Sequence, residues 1–315
     1  MGDRQKENRG AVLLVAIARV IALLPFRVLY AISDLLFPIV YFLVRYRRKL
    51  VRKNLQNAFP DANRKELITL EKKFFHHLCD TFVETVKSLH LSEEEMSQRM
   101  HFENPELLNQ LMKEGRSSLV CLGHYCNWEW VPSIVLHLKP GLEAGLVYKQ
   151  LHSKPFDQLF RKIRGHFGSQ PIEKRNVLRT LIRKKREGKT IVVGFLTDQR
   201  PPRVSDKYWT MFLNQETPVQ TGMEKIARSL SMSVVYLDIE RVKRGYYRGR
   251  FVTLTPDAAL EQEHLITEQY VRLLEQSVLR APEHYLWSHN LWKFKKEEQT
   301  LKEQPNVAVA SKMQS

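Results

Sequence analysis

The chain has 315 residues, enough for one large domain or two small ones with an ample core. Its 50 Lys and Arg residues against 34 Asp and Glu residues give a net charge of +16, which favours an anionic partner: nucleic acid, an acidic membrane surface, an acidic protein or a phosphorylated substrate. Three cysteines are too few for a disulfide framework and suit a reducing compartment.

The N-terminal segment, residues 1–44, combines a polar tail with the most apolar tract of the chain. Its best apolar portions, Ala11–Leu24 and Val28–Val44, are each marginal against the roughly 20 residues that a membrane-spanning helix needs. The tract is longer than the apolar core of a secretory signal and has no clean cleavage site. Six Lys and Arg residues follow between Arg45 and Lys53, as in a cytoplasmic flank or a patch on anionic headgroups. We therefore predict a membrane anchor with the rest of the chain cytoplasmic; the alternative is a buried helix of a soluble protein.

Residues 45–294 are predicted to form one domain, which begins with a helical lead-in at 45–112. Apolar residues at helical spacing predict helices Arg45–Asn57 and Lys65–Leu89, separated by a break at Phe59-Pro60-Asp61. The second helix contains the metal-type ligands His76-His77-Leu-Cys79-Asp80, but no second Cys or His cluster in the sequence pairs with them. We interpret this run as a core helix and predict no metal site.

From Ser117 onward strand-like runs alternate with helical runs, up to a polar tail at 295–315 that we predict to be loose. The predicted strands are Ser117–Leu122, Ala144–Lys149, Thr190–Leu196, Ser233–Ile239 and Arg250–Leu254. The predicted helices are Trp128–Leu138, Phe156–Phe167, Asn176–Glu187, Gly222–Leu230 and Glu263–Leu279. This alternation predicts an α/β core at 113–294, with a mixed sheet flanked by helices. The sequence contains no glycine-rich nucleotide-binding loop.

The run Gly123-His124-Tyr-Cys-Asn-Trp-Glu129 follows the first predicted strand directly. Because five steps around an ideal helix leave two side chains far apart in angle, His124 and Glu129 can meet only if His124 precedes the first turn. We expect a bend at Gly123 to achieve this, and Glu129 to hold one ring nitrogen of His124. An imidazole held by a carboxylate in this way is the arrangement of a general base.

Three other histidines have the same spacing to a carboxylate: His90, His101 and His152. His90 lies in a polar helical stretch, and His101 is followed by an Asn-Pro turn. His152 is a stronger rival, because a strand-like run ends just before it. Only His124 combines a full apolar strand, a glycine bend and an amphipathic continuation.

Two further segments carry polar groups that suit a site. The strand Thr190–Leu196 leads into Asp198-Gln199 before a Pro-rich loop, at the sheet edge where α/β sites form, although a plain strand-ending turn has the same pattern. Arg164 closes a predicted helix and suits a phosphate or a developing oxyanion, although a basic last turn also stabilises the helix dipole. The residues alone leave these alternatives open.

Two remaining features have a plain packing interpretation. Cys126 is chemically able to form an acyl-enzyme, but we interpret it as a small residue packed near a helix start. The aromatic and basic run that begins Tyr285-Leu-Trp287-Ser-His289 suits nucleic acid or headgroups. We instead expect its tryptophans to pack on the domain with the lysines exposed.

Taken in order, these motifs resemble the lipid A biosynthesis acyltransferase family, the late acyltransferases of lauroyl and myristoyl type in the lysophospholipid acyltransferase superfamily. The resemblance covers residues 10–294, and its motifs are Arg52-Lys-Asn54-Leu-x-x-Ala-Phe-Pro60, Gly123-His124-x4-Glu129, the Tyr148 strand, Arg164 before Phe167-Gly168, Asp198-Gln199, Phe212–Pro218 with Thr221-Gly222, and Trp287-Ser-His289. Glu129 resembles the lipid A branch, since glycerophospholipid relatives usually carry Asp there. Thr197 stands where relatives often have Pro, and the following loop, Arg200–Arg203, is more basic than usual.

The resemblance implies a glycerolipid-acyltransferase-like fold and direct acyl transfer, with His124 as base and Glu129 fixing its tautomer. Helix-start amides and Arg164 would then stabilise the oxyanion. It also demotes His152 and Asp157 to a loop on the donor side. The predicted catalytic residues are therefore His124, Glu129 and Arg164. Four polar residues are predicted to bind substrate: Asp198, Gln199, Asn127 and Arg200.

The implied partners are an acyl carrier protein thioester as donor, a Kdo-bearing lipid A precursor as acceptor, and an anionic membrane surface. No cofactor, metal or nucleic acid is expected. The implied location is the cytoplasmic face of the inner membrane of a Gram-negative bacterium. Two alternatives stay open: glycerophospholipid acylation, and a basic membrane-peripheral binding protein without enzymatic activity, which would keep its binding after loss of His124.

Overall fold

The computed structural model describes residues 2–113, 115–201 and 207–294 of the chain. The predicted loose tail at 295–315 and Arg203 of the Pro-rich loop lie outside the described residues.

Ten α-helices occur in these ranges: α1 (Gly2–Leu23), α2 (Phe26–Pro38), α3 (Arg48–Ala58), α4 (Arg64–Lys87), α5 (Glu93–Arg99), α6 (Glu106–Lys113), α7 (Lys154–Gly165), α8 (Val177–Arg186), α9 (Gly222–Leu230) and α10 (Leu265–Arg280). The two helices predicted for the lead-in are confirmed as α3 and α4. Asn63 begins α4 by accepting hydrogen bonds from the amides of Lys65 and Glu66, while Glu66 caps the amide of Asn63 in return. The run predicted after His124 is a 3-10 helix, Trp128–His137, with Pro132 inside it.

Nine strands occur in the same part of the chain: β1 (Met100–Phe102), β2 (Ser118–Leu122), β3 (Glu143–Tyr148), β4 (Gln170–Glu173), β5 (Ile191–Leu196), β6 (Lys207–Phe212), β7 (Gln215–Gln220), β8 (Ser233–Lys243) and β9 (Tyr246–Thr255). All five predicted strands are confirmed, as β2, β3, β5, β8 and β9. The sequence did not predict β1 and β4, which are too short to carry a pattern, or the β6–β7 hairpin.

Seven strands form one sheet in the order β1-β9-β8-β2-β5-β3-β4, and β6 and β7 form a separate hairpin. Only the β8–β9 pair of the sheet is antiparallel; the other neighbours are parallel. The predicted α/β fold with a mixed sheet flanked by helices is therefore confirmed. Parallel β2, β5 and β3 end at the same edge, and this edge carries the segments that hold His124, Asp198 and Tyr148.

The N-terminal apolar tract forms α1 and α2, and a π-helical turn, Ile39–Val44, extends α2. One face of α1 packs through Ala18 and Ala22 on Val86 of α4 and Ile163 of α7. Among the described residues, Phe26–Val44 is the one helical stretch with the length and composition to cross a membrane; its mean hydropathy is 1.7, and 17% of its window is buried.

A cluster of charges around the buried carboxylates of Asp80 and Glu84, here called the basal network, ties α2 to α4 and to the β8–β9 hairpin. The carboxylate of Asp80 on α4 accepts hydrogen bonds from Ser33 (2.7 Å), Arg241 (2.9 Å) and Arg244 (2.6 Å). Arg244 also pairs with Asp34 of α2 at 2.6 Å.

The second carboxylate of the basal network, Glu84, is fully buried. It accepts hydrogen bonds from the phenols of Tyr30 (3.0 Å) and Tyr247 (2.7 Å) and from the amide of Asn127 (2.8 Å). Burial raises the pKa of the Glu84 carboxyl to about 7 despite the hydrogen bond from Tyr247, which lowers it.

Candidate active site

His124 lies two residues beyond the end of β2, where the chain passes very close to α10. A Cβ on Gly123 would stand 2.5 Å from Leu274 Cδ1, so a larger residue here would displace the Leu274 side chain. The left-handed residue that turns the chain is not Gly123 but Cys126, with φ of 53°. Gly123 therefore serves close packing, and the bend predicted there is three residues later.

His124 pairs with Asp198, not with Glu129 as the sequence predicted. Its Nδ1 lies 2.6 Å from Asp198 Oδ1, and its backbone amide donates to Asp198 Oδ2 at 2.8 Å. The cause is strand register: β2 and β5 are parallel neighbours with Leu122 opposite Leu196. Two further residues along each strand bring His124 and Asp198 side by side.

The electrostatics of this pair are those of a buried ion-paired carboxylate. Burial on its own would raise the pKa of the Asp198 carboxyl, but the charge and hydrogen bonds of His124 outweigh it and hold the pKa below its ordinary value. Asp198 thus stays ionised and keeps the Nδ1 proton of His124 on its own side. In the neutral imidazole, Nε2 then carries the lone pair and faces the amide of Gln199 at 3.2 Å.

Glu129 instead forms a bidentate ion pair with Arg164 of α7. Arg164 Nε donates to Glu129 Oε2 at 2.8 Å, and Nη2 donates to Oε1 at 2.7 Å. Burial works against the charge on Glu129, but Arg164 and, more weakly, His124 hold the pKa of this carboxyl below its ordinary value. The short 3-10 helix after Cys126 carries Glu129 towards α7, which is why it does not meet the imidazole at hydrogen-bonding distance.

The ion pair with Glu129 orients Arg164 but does not occupy all of its hydrogen-bond donors. Its Nε and Nη2 donate to Glu129, and among the described residues Nη1 has no hydrogen-bond partner. Its charge also lies near Tyr148, whose pKa is raised by burial and lowered by Arg161 and Arg164. The guanidinium is therefore oriented by Glu129 and can still donate to a ligand.

A cavity of about 390 Å³ opens above these groups. His124, Tyr148, Arg164 and Gln199 contribute polar side chains to its lining. Its apolar lining residues come from the sheet and two helices and include Leu146, Val177, Phe195, Met223 and Ile226. The cavity thus joins a base, a cation and an apolar wall, as an acyl-transfer site requires.

Asn127 does not reach this cavity. Its side chain is fully buried and donates to Glu84, so a structural hydrogen bond replaces the predicted substrate contact. Arg200 is also not a lining residue of the cavity. Its amide donates to His289 Nε2 at 3.1 Å and its guanidinium lies 5.1 Å from the ring of Phe294, so within the described residues it contacts the C-terminal segment.

His152, the rival histidine, lines the same cavity from an exposed position. The carboxylate at the matching spacing, Asp157, accepts from the amide of Leu151 at 2.9 Å and so holds this loop. Unlike His124, His152 has no carboxylate partner among the described residues. The geometry of a base held by an acid is found at His124.

Cys126 and the His76 region have packing or ion-pairing roles. Cys126 is fully buried, its Sγ lies 3.7 Å from the carbonyl of Ile239, and burial raises the pKa of its thiol well above the usual range. Metal-type ligand atoms of Asp34, His76 and Asp80 lie within 4.8 Å of one another, but Arg244 pairs with both carboxylates. Protein cations thus balance this cluster.

The C-terminal segment packs beneath the site, as the sequence predicted for its tryptophans. Trp287 is fully buried. The amide of Leu286 donates to the carbonyl of His124 at 3.0 Å. Asn54 of α3 donates to the carbonyl of Trp287 at 2.9 Å. This explains how the Asn54 and Trp287-Ser-His289 motifs, distant in sequence, belong to one structural unit beneath His124.

The chain resembles known proteins in sequence over most of its length. The family model described as bacterial lipid A biosynthesis acyltransferase matches residues 4–294. The lipid A biosynthesis palmitoleoyltransferase of Escherichia coli K12 is 21% identical over 253 residues, 79% of this chain and 80% of that protein. A lipid A biosynthesis acyltransferase of Shigella flexneri matches to the same extent.

The family match extends over the apolar helices, the sheet and the C-terminal support of the site alike. The acyl groups named in the resemblance, lauroyl and myristoyl, are not those of the Escherichia coli relative, whose name specifies palmitoleoyl. With its candidate base at the mouth of β2 and its matched length, the chain belongs to the bacterial lipid A biosynthesis acyltransferases.

Proposed function

We propose that this protein transfers a fatty acyl chain from an acyl carrier protein thioester to a hydroxyl of a lipid A precursor, a late step of lipid A synthesis. The observation that carries the proposal is the buried pair of His124 and Asp198 at the floor of an apolar-walled cavity that Arg164 also lines. A base, an oriented cation and room for an alkyl chain are the elements that acyl transfer to a hydroxyl needs.

In the proposed reaction the acceptor hydroxyl takes the place of the Gln199 amide beside Nε2 of His124. Nε2 removes the hydroxyl proton while the oxygen attacks the thioester carbonyl, and a tetrahedral intermediate forms. Asp198 stabilises the imidazolium and holds its orientation. The intermediate then expels the carrier thiolate, which takes the proton back from Nε2 and leaves as a thiol.

Arg164 is the proposed donor to the oxyanion. Its Nη1 is not needed by Glu129, and its charge is positioned before the reaction begins, so stabilisation costs no reorganisation at the transition state. Glu129 is then a positioning residue for Arg164 rather than the partner of the imidazole. Gln199, whose amide lies beside His124 Nε2, is the residue proposed to contact the acceptor hydroxyl there. Support for direct transfer comes from Cys126, whose burial disfavours a reactive thiolate.

The proposed location is the cytoplasmic face of the inner membrane. Phe26–Val44 supports an anchor by length and composition, and the cations that follow it suit anionic headgroups. The net charge of +16 suits both an acidic carrier protein and a phosphorylated acceptor.

The test is reconstitution of the purified full chain in detergent with four donor and acceptor combinations. Donors are acyl carrier protein thioester and acyl-CoA; acceptors are a Kdo-bearing lipid A precursor and a lysophosphatidate, with products identified by mass spectrometry. We expect acylated lipid A precursor from the carrier thioester, and none from the His124→Ala variant. Preferential acylation of lysophosphatidate would refute the assignment of the acceptor.

A further inference from the structure

A second cavity, here called the basic groove, lies between α1 and the end of α7. Its volume is about 640 Å³, and its lining includes Arg19, Val20, Leu23, Arg161, Lys162 and His166. None of its lining residues is an Asp or a Glu. The groove therefore gathers three permanent cations without a carboxylate among them.

The three cations of the groove, Arg19, Arg161 and Lys162, also lack ion-pair partners among the described residues. Across the residues that the structure describes, Arg19, Arg161 and Lys162 form no ion pair and no side-chain hydrogen bond. Arg244, which lies beside α2, differs from them because it is paired with two carboxylates. Three unpaired cations around one cavity favour an anionic ligand, since that ligand would relieve their mutual repulsion.

The remaining wall of the groove is apolar and continuous with an exposed apolar surface. Val20 and Leu23 are 65% and 58% exposed, and Val12, Leu13 and Ile17 continue the exposed apolar surface along α1. A ligand that matches both surfaces has a phosphate for the cations and alkyl chains for α1. The chemistry is that of a phosphorylated lipid.

The groove and the candidate active site both have lining residues on α7. Arg161 lines the groove and Arg164 lines the catalytic cavity, and three residues of α-helix separate them by about 4.5 Å along the axis. The charge of Arg161 also acts on Tyr148, which lines the catalytic cavity. A headgroup in the groove therefore lies within one helical turn of a side chain that lines the catalytic cavity.

We propose that the basic groove binds a phosphate group of the acceptor lipid and thereby sets which hydroxyl lies at His124. This inference rests on the proposed function for the identity of the acceptor. Bulk membrane phospholipid is the less suitable occupant, because a lipid without a reacting hydroxyl gains nothing from the position of the groove one helical turn from Arg164.

The test compares two triple variants of the full chain in detergent. R19Q/R161Q/K162Q removes the cations of the groove, and K113Q/K139Q/R250Q removes three exposed cations elsewhere. With a phosphorylated lipid A precursor, the groove variant should raise KM about 10- to 100-fold, the loss expected for charge-assisted hydrogen bonds. Its kcat should change less than about 3-fold. The control variant should match wild type.

Phosphatase-treated acceptor provides the decisive comparison. Wild type should lose affinity for it to the same extent, and the groove variant should lose nothing further, because the two changes remove one interaction. Equal KM increases on both acceptors would overturn the proposal. So would an unchanged KM combined with weaker binding to phospholipid vesicles that contain no acceptor, the result expected of a bulk-lipid site.

Direct binding separates failure of the groove from failure of the proposed function. Equilibrium binding of the phosphorylated precursor needs no acyl transfer, so it tests the groove even if wild type proves inactive. Weaker binding by the groove variant alone supports the site. Equal binding by all three proteins, in an enzyme that does acylate the precursor, rejects the groove and leaves the proposed function intact.

Discussion

The candidate active site and the basal network are both buried clusters of carboxylates and cations, yet they differ in what they face. Asp198 pairs with His124 and Glu129 pairs with Arg164, and the imidazole and the guanidinium both line an open cavity. Asp80 pairs with Arg241 and Arg244, and its carboxylate is fully buried. Burial and ion pairing are thus common to structural and chemical sites.

The two clusters differ because the candidate site has hydrogen-bonding atoms next to a cavity that remain available to a substrate. In the candidate site, Nε2 of His124 meets only an amide that a substrate can displace, and Nη1 of Arg164 has no partner among the described residues. In the basal network each carboxylate is satisfied by several donors from different elements. Six substitutions, with two control variants, test this distinction.

The largest effect is expected at His124. His124→Ala removes the base and should lower kcat by about 10⁴-fold or more while the fold survives, because its neighbours are held by other contacts. His152→Ala is the matched control: it removes an exposed imidazole from the same cavity and should retain a substantial fraction of activity. Steady-state turnover of both variants decides the matter. An inactive His152 variant beside an active His124 variant would move the site to the neighbouring loop.

Asp198→Asn should lower kcat about 10³-fold with a smaller change in KM. Asp198 accepts from both the backbone amide and Nδ1 of His124, and an Asn has only one acceptor for these two donors. The amide group of Asn would therefore face one of them and misplace or invert the imidazole.

Asp257→Asn serves as its control, because Asp257 caps the amide of Ala259 away from the cavity. Circular dichroism should match for both variants. A loss at position 198 confined to KM for the acceptor would favour the substrate-binding role that the sequence suggested.

Arg164→Ala should lower kcat about 10²- to 10³-fold, as loss of one oxyanion donor does. Glu129→Gln breaks the bidentate pair and should cost less, since Arg164 keeps one acceptor. If Glu129 acts through Arg164, the double variant should be hardly worse than Arg164→Ala alone. Additive losses in kcat would show instead that Glu129 acts on His124 directly, as the sequence predicted.

The sequence predicted most of the sheet, because β2, β3, β5, β8 and β9 are apolar runs between clear helical segments. It missed β1, with three residues, and β4, which contains Pro171. The β6–β7 hairpin was missed because its two-residue turn, Leu213 and Asn214, adopts φ of 51° and 59° without a glycine to signal it.

The partner of His124 was missed for a different reason. Local spacing favours Glu129, five residues away, whereas Asp198 is 74 residues away and depends on β2 and β5 being neighbours. A usable signal exists: both residues stand two positions beyond the end of a predicted apolar strand. In a parallel pair with aligned ends, equal offsets bring side chains together. Only the order of strands in the sheet, which is not local, turns that signal into a contact.

The basal network should show itself in stability rather than in turnover. Burial raises the pKa of Glu84 from 4.5 to about 7, so the folded protein binds this proton more tightly than the unfolded chain. The free energy of unfolding should therefore fall as pH rises from about 4.5 to about 7, by up to about 3 kcal/mol from this group. Glu84→Gln should remove that decrease. The difference in the free energy of unfolding between variant and wild type should therefore change with pH, when unfolding is measured on protein kept in detergent. A constant difference would mean that Glu84 is ionised throughout.

The smallest effect is expected at Cys126. This thiol stands two residues from His124 but is fully buried, and burial raises the pKa of its thiol, so it has no route to a thioester in the cavity. Cys126→Ala keeps the left-handed backbone occupied by a residue with a Cβ and removes only the sulfur, at a cost of about 1 kcal/mol of stability. Its kcat should stay within about 3-fold of wild type.

Intact-mass measurement after mixing wild type with donor alone should find no acylated protein, because the acceptor hydroxyl attacks the thioester itself. An acyl adduct that disappears in the Cys126→Ala variant would place the sulfur on the reaction path and require the cavity to open towards the Ile239 carbonyl, where Sγ now packs.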